Sequence, residues 1–248
     1  MYILAISNHK GGVGKTTSTV NIGAALVRKG YKVLLIDLDP QANLTQSFNI
    51  TKDAFTIYDY IKTPTNIIPI QTKPGLFVIP SSLDLSAAEV EISLEPGREY
   101  ILKDIISKIT INFDYILIDC PPALNVLTIN AFTAANRVII PMQAEYLPLR
   151  GLAKLTEVIN KIKTRLNPNL EIGCVFLTKF DNRKILNRDI AESVKNFFGD
   201  KLLNTHISTS IALAEAPSQG KDIFMYNNTS KPAIEYEKLT NEILEKIQ

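Results

Sequence analysis

Six short apolar runs punctuate the chain, and each is followed by a stretch in which apolar residues recur at helical spacing. The runs are Tyr2–Ile6, Lys32–Asp37, Leu76–Pro80, Tyr115–Asp119, Arg137–Pro141 and Glu171–Leu177. Rich in Ile, Val and Leu, they predict buried strands of a parallel sheet. The connections read as helices. Val20, Ala24 and Val27 make an inward stripe after Gly14-Lys15-Thr16, and Lys29-Gly30 supplies a basic last turn and a stop. Short helices are expected over Asn43–Ser47, Thr56–Ile61 and Leu83–Glu91, and further ones through Ile101, Leu102, Ile105 and Ile109, over Leu124–Ala135 and over 185–198. Met142–Tyr146 leads into a long helix whose stripe runs Leu152, Leu155, Ile159, Ile162, Leu166. The last helix spans Pro232 to Ile247, with Ile234, Leu239, Ile243 and Ile247 along one side. Residues 43 to 75 are less regular, punctuated by Thr63-Pro64, Pro69 and Pro74-Gly75.

Strand then helix, repeated, predicts an α/β fold: a three-layer, doubly wound, mostly parallel sheet flanked by helices. At 248 residues the chain fits one domain, 1–248, able to bury roughly three quarters of its unfolded surface. Composition is that of an ordinary globular protein, with 46% hydrophobic and 21% charged residues. Cys120 and Cys174 stand singly and far apart, with neither zinc spacing nor a disulfide framework, so a reducing cytoplasm is the expected compartment. No apolar run approaches the ~18 residues of a membrane span, and the chain opens on a strand instead of a charged-then-apolar leader. A net charge of +2 is too small to argue for nucleic acid without local clustering.

Chemistry concentrates where three of the strands end. After Ser7-Asn8-His9 comes Lys10-Gly11-Gly12-Val13-Gly14-Lys15-Thr16-Thr17. Strand, glycine turn, lysine, hydroxyl, helix is the order of a phosphate-binding loop. Backbone N–H groups must converge on phosphate oxygens, which larger side chains would obstruct, and a helix N-terminus adds partial positive charge. In this pattern Lys15 neutralises the β and γ phosphates and the Thr16 hydroxyl ligates Mg²⁺. The generic spacing asks for a glycine where this chain has His9, and Lys10 is an additional lysine. Asp37-Leu38-Asp39-Pro40-Gln41 lies at the sheet edge where open α/β folds bind ligands; an acidic turn capping a helix is the alternative. Tyr115–Asp119, continued as Cys120-Pro121-Pro122, is an apolar strand ending in a carboxylate, the arrangement that holds Mg²⁺ through water. Cys120 reads as a small buried residue, since no histidine lies near it in sequence to activate it.

Residues 10 to 17 resemble the deviant Walker A motif of the ParA/MinD family of P-loop ATPases, in which an early signature lysine accompanies the usual one. Residues 37 to 41 resemble the Asp-x-Asp-Pro-Gln switch of ParA proteins, and Glu215-Ala216-Pro217-Ser218-Gln219-Gly220-Lys221 resembles a third signature of that family. The motifs occur in family order along essentially the whole chain. The resemblance implies a ParA/Soj-type ATPase of weak intrinsic activity, with ATP and Mg²⁺ as cofactors, acting in segregation of chromosome or plasmid DNA. It implies nucleotide contacts from Lys10, Gly11, Gly12, Val13, Gly14, Lys15, Thr16 and Thr17, with Thr178 and Lys179 near the adenine and Pro217 against the base. Thr16, Asp37 and Asp119 would form the metal site. Lys10, Lys15 and Asp39 would be catalytic, with Asp39 orienting the attacking water and Lys10 reaching across an ATP-dependent homodimer sandwich.

The same resemblance implies nonspecific DNA binding in the ATP state, nucleoid association and stimulation by a ParB-like partner. Many Soj-like relatives carry arginines just before Glu-Ala-Pro-Ser, whereas Ile207–Ala214 has no positive charge here. Nonspecific binding needs several phosphate contacts. Replacement candidates are Arg183, Lys184, Arg188, Lys195, Lys201 and Lys231, with Arg150, Lys154, Lys161 and Arg165 as a second set for which a solvated face is the other reading. The alternative function is a same-fold cargo-positioning or scaffold ATPase whose surface is not DNA. An iron–sulfur reductase subunit is opposed by the cysteine contexts, and a tyrosine kinase by the lack of a tyrosine-rich tail. The last helix mixes Glu235, Glu237, Glu242 and Glu245 with Lys238 and Lys246, unlike the basic tail of MinD relatives, so no membrane partner is expected. An N-terminal helix-turn-helix module is not expected either.

Overall fold

The six apolar runs become strands, and a seventh joins them at one edge. A computed structural model describes residues 1–51, 53–144 and 148–247, with backbone only for 148–150. Strands β1 (Tyr2–Ile6), β2 (Val33–Asp37), β3 (Ile70–Lys73), β4 (Leu76–Ile79), β5 (Tyr115–Asp119), β6 (Arg137–Gln143) and β7 (Glu171–Thr178) form one sheet in the order β3-β4-β2-β5-β1-β6-β7. Every neighbouring pair is parallel except β3, which runs antiparallel to β4 across a turn with Gly75 at φ +82°. The pattern of apolar residues missed β3 because Ile70-Gln71-Thr72-Lys73 is polar at three of four positions, as suits an edge strand with one open side.

Helices α1 (Lys15–Arg28), α2 (Asn43–Gln46), α3 (Ile57–Lys62), α4 (Leu85–Glu91), α5 (Ile101–Ser107), α6 (Val126–Ala134), α7 (Pro148–Arg165), α8 (Ile185–Phe198), α9 (Ala212–Glu215), α10 (Ile223–Asn227) and α11 (Lys231–Ile247) cover the two faces. Strand parity divides the core. Ile3, Ala5, Leu34, Ile36, Ile116 and Ile118 pack towards α3 to α8, whereas Leu4, Ile6, Val33, Leu35, Tyr115 and Leu117 pack towards α1, α10 and α11. This is the three-layer, doubly wound arrangement expected from the sequence.

Two helices differ in detail from their expected stripes. Beyond Val20 and Ala24, α1 also buries Ser18, Thr19, Asn21, Ile22, Gly23, Ala25 and Leu26, because α11 lies over the side turned away from the sheet. In α11 the inward residues are Ala233, Tyr236, Leu239, Thr240, Ile243 and Ile247, while Ile234 is exposed. Glu235 and Glu242, expected on the solvent side, reach back to the segment between α8 and α9. Glu242 accepts the N–H groups of Asn204 and Thr205 at 2.6 and 2.9 Å. Glu235 accepts from the N–H and the hydroxyl of Ser208 at 2.9 and 2.7 Å. No helix among the described residues is long and apolar enough to cross a membrane.

Candidate functional site

The loop after β1 is shaped by two glycines. Gly12 and Gly14 sit at φ +72° and +87°, where a residue with a Cβ would be strained. A Cβ placed on Gly11 or Gly12 would meet nothing within 4 Å, so the concave side of the loop is open for a ligand. Neighbouring strands hold the loop from behind. Asn8 donates from Nδ2 to the carbonyl of Pro141 at 2.8 Å and accepts the N–H of Lys10 at 3.1 Å. Thr178 Oγ1 donates to the carbonyl of Val13 at 2.8 Å. Helix α1 then starts at Lys15 with no side-chain cap and no acidic residue in its first turn. Its unpaired N–H groups and partial positive charge are therefore available to an anion.

Behind the loop stand two carboxylates that parity and register bring together. Asp37 and Asp119 end β2 and β5, are register partners, and share the α1 face with Leu35 and Leu117. Both are fully buried, and burial raises both pKa values; the neighbouring charge of Asp37 raises Asp119 further. Thr16 Oγ1 donates to Asp119 Oδ2 at 2.7 Å. With its proton committed to Asp119, the hydroxyl keeps its lone pairs for a cation. An oxygen-only donor set of one hydroxyl and two carboxylates suits a hard divalent ion. Among the described residues no cluster of three His, Cys, Asp or Glu side chains could hold a metal ion.

Lys15 is buried and donates from Nζ to the carbonyl of Lys10 at 3.2 Å, folding back over the loop. Desolvation lowers its pKa, against the opposing pull of Asp119. Asp39 is nearly buried and accepts the N–H of Gln41 at 3.0 Å. These groups edge a cleft of about 870 Å³ lined by Gly11 to Thr17, Asp39, Thr178, Lys179 and Pro217. The structure thus gathers the residues expected to contact nucleotide, with one exception. Lys10 lies outside the cleft lining, exposed on the loop. Thr178 lines the cleft, and its hydroxyl braces the loop.

Sequence reasoning missed most of two cleft walls. One adds Asn43, Gln46, Ser47 and Asn49 to Gln41 of the 37–41 motif, and the other adds Ser208, Thr209, Ser210, Leu213 and Tyr236 to Lys221 of the 215–221 motif. Asn49 at φ +52°, a backbone state that asparagine tolerates, was the available signal for a tight turn there. Nothing local marks Tyr236. Its hydroxyl lies 3.1 Å from Ser18 Oγ, inside the α1–α11 contact.

The basic candidates are all exposed. Lys184, Arg188 and Lys195 follow one another on α8 at its start, i+4 and i+11, hence on one side. Arg183 is held by Asp181 at 3.0 Å, and Lys231 lies 3.6 Å from Glu235. Lys201 is exposed just beyond α8. In the second set Lys161 pairs with Glu157 at 2.6 Å, and the Arg150 side chain lies outside the described residues, as do Glu145 and Tyr146.

Fold and cleft together define a P-loop nucleotide-binding protein of the variant that carries a second lysine ahead of the loop. Residues 1–172 match a family model described as an AAA domain. Along 97% of its length the chain is 43% identical to the chromosome-partitioning ATPase Soj of Treponema pallidum, covering 96% of that protein. It is 42% identical to the chromosome partitioning protein ParA of Caulobacter vibrioides, over 98% of this chain and 93% of that one. The chain belongs to the ParA/Soj family. Among solved structures, a plasmid partition protein from Borrelia burgdorferi bound to AMPPNP superimposes with a TM-score of 0.85 at 29% identity, over 99% of each chain. A cobyrinic acid a,c-diamide synthase from Mycobacterium smegmatis with bound ATP analog and magnesium has a TM-score of 0.85 at 33% identity, over 99% of this chain and 95% of that one.

Proposed function

We propose that the protein is an ATP-dependent, dimerising ATPase of DNA segregation, converting ATP and water to ADP and phosphate. The observation that carries this reading is the pairing of buried Asp37 and Asp119 behind the Thr16 hydroxyl, in front of which the loop opens. The loop N–H groups and the start of α1 bind the phosphate chain, and Lys15 lies over it as the compact positive charge. Thr16, Asp37 and Asp119 would hold a magnesium ion, which when bound would supply charge neutralisation on the transferred phosphate. Asp39 orients the attacking water from the cleft wall. Lys10, exposed outside the cleft, serves the site of a second copy of the chain, so the site is completed by dimerisation.

The partition relatives support a role in chromosome or plasmid segregation. In the proposed role the compartment is the cytoplasm, the surface is nonspecific DNA and a ParB-like protein stimulates hydrolysis. The α8 cations Lys184, Arg188 and Lys195 are the leading phosphate contacts. A specific observation keeps a second reading in play: residues 207–214 lack positive charge, and Arg183 and Lys231 are each engaged by a carboxylate. In that reading the same ATPase positions a cargo without DNA. Salt-titrated DNA binding by the ATP-loaded Asp39→Ala protein separates the two. ATP-dependent binding that weakens steeply with salt supports the DNA role; ATP-dependent dimers that ignore DNA at low salt support the other. A wild-type protein that neither binds nor hydrolyses ATP would sink both.

A further inference from the structure

Helix α2, in the wall of the cleft, is only four residues long and has no capping side chain at its start, where Ala42 takes φ +53°. Its position is therefore set by what it touches. Leu44 is fully buried against the α1-side core, and the next residue, Thr45, is buried beside Asp37. Thr45 gives two hydrogen bonds to one oxygen, its N–H at 2.9 Å and its hydroxyl at 2.7 Å from Asp37 Oδ2. The same hydroxyl accepts the N–H of Ser81 at 2.8 Å, just past the end of β4. A hydroxyl has a single proton, so the donor from Ser81 and the acceptor on Asp37 together determine its orientation. Asp37 Oδ1 in turn accepts the N–H of Asp39 at 3.2 Å.

We infer that Thr45 is a positioning residue: it links the end of β4 to Asp37 and holds that carboxylate in the orientation a magnesium–nucleotide requires. The inference rests on the proposed function for the role of Asp37. Groups that orient a metal-site carboxylate without touching the metal typically account for about 10- to 100-fold in metal affinity. Thr45→Val keeps the shape, removes the hydroxyl donor to Asp37 and strands the Ser81 N–H. Thr45→Ser keeps the relay.

The test is binding of a fluorescent ATP analogue, titrated with magnesium and repeated in EDTA. Thr45→Val should raise the magnesium midpoint about tenfold or more while leaving affinity in EDTA as in wild type, and Thr45→Ser should stay near wild type. A wild-type midpoint in Thr45→Val, with magnesium-dependent binding intact in the parent, overturns the inference alone. A parent whose binding ignores magnesium overturns the reading of the site beneath it. If Thr45→Val does not fold, amide exchange at Ser81 in the parent decides. Magnesium–nucleotide should slow that exchange relative to nucleotide in EDTA; equal rates overturn the inference.

Discussion

Lys15 is buried and rests on a backbone carbonyl of its own loop. Its replacement removes the cation placed over the phosphates, so Lys15→Ala should abolish ATP binding, read by equilibrium dialysis or a fluorescent analogue. Asp39 lies on the wall of the cleft, and its backbone carbonyl accepts the N–H of Ala42 at 2.9 Å, a turn that side-chain truncation leaves in place, so Asp39→Ala should retain nucleotide and ATP-dependent dimers while hydrolysis slows about 100-fold or more. A monomeric Asp39→Ala protein on size-exclusion chromatography, unable to keep ATP, would contradict that role. The buried carboxylates make a prediction in pH. Asp37 and Asp119 have native pKa values raised above their unfolded ones, so the native state binds more protons across the interval between them. Their stabilising contribution is complete below the unfolded values and is lost as pH rises from about 4 through the neutral range. In metal-free protein the thermal midpoint of wild type should therefore fall with pH relative to Asp119→Asn. An unchanged difference across that range would remove the electrostatic strain assigned to the pair.

At the scale of elements, α11 does more than close the core. Through Tyr236 it meets α1, and through Glu235 and Glu242 it holds the backbone of residues 204–208 that leads to the cleft wall. Tyr236→Phe leaves the buried Ser18 hydroxyl without its partner and should cost about 1–3 kcal/mol in urea unfolding. Glu235→Ala should speed amide exchange at Ser208 and weaken nucleotide binding while the loop at 10–17 keeps its protection. Exchange at Ser208 equal to wild type would show that the glutamate only covers the surface. Because the amphipathic pattern of α11 carries no mark of what lies opposite, its inward acids were indistinguishable in sequence from solvated ones.

For the molecule as a whole, the question is which face meets a surface. Lys184, Arg188 and Lys195 line up on α8, whereas Arg183 is committed to Asp181, whose carboxyl it holds down at about 2. Charge reversal at Lys184 and Arg188 should lower nonspecific DNA affinity and flatten its dependence on salt, by about 0.9 in the log–log slope for each phosphate that is no longer neutralised. Basal ATP turnover should stay as in wild type. Identical salt slopes for wild type and the reversed protein would move the interface elsewhere or favour the DNA-independent reading.

Sequence alone determined the elements whose chemistry is local. The loop at 10–17 was legible because glycine freedom, lysine charge and the start of a helix act between near neighbours, and the buried strands because their apolar runs are continuous. What only the tertiary structure decided depends on segments far apart in the chain. Register between β2 and β5 brings Asp37 beside Asp119, and the α1–α11 contact sets Tyr236 against Ser18 at the edge of the cleft. The end of β4 reaches Thr45, and an edge strand as polar as β3 emerges by pairing with β4. Such pairings are selected by packing over the whole core, where many distant partners compete and local preference is too weak to choose among them.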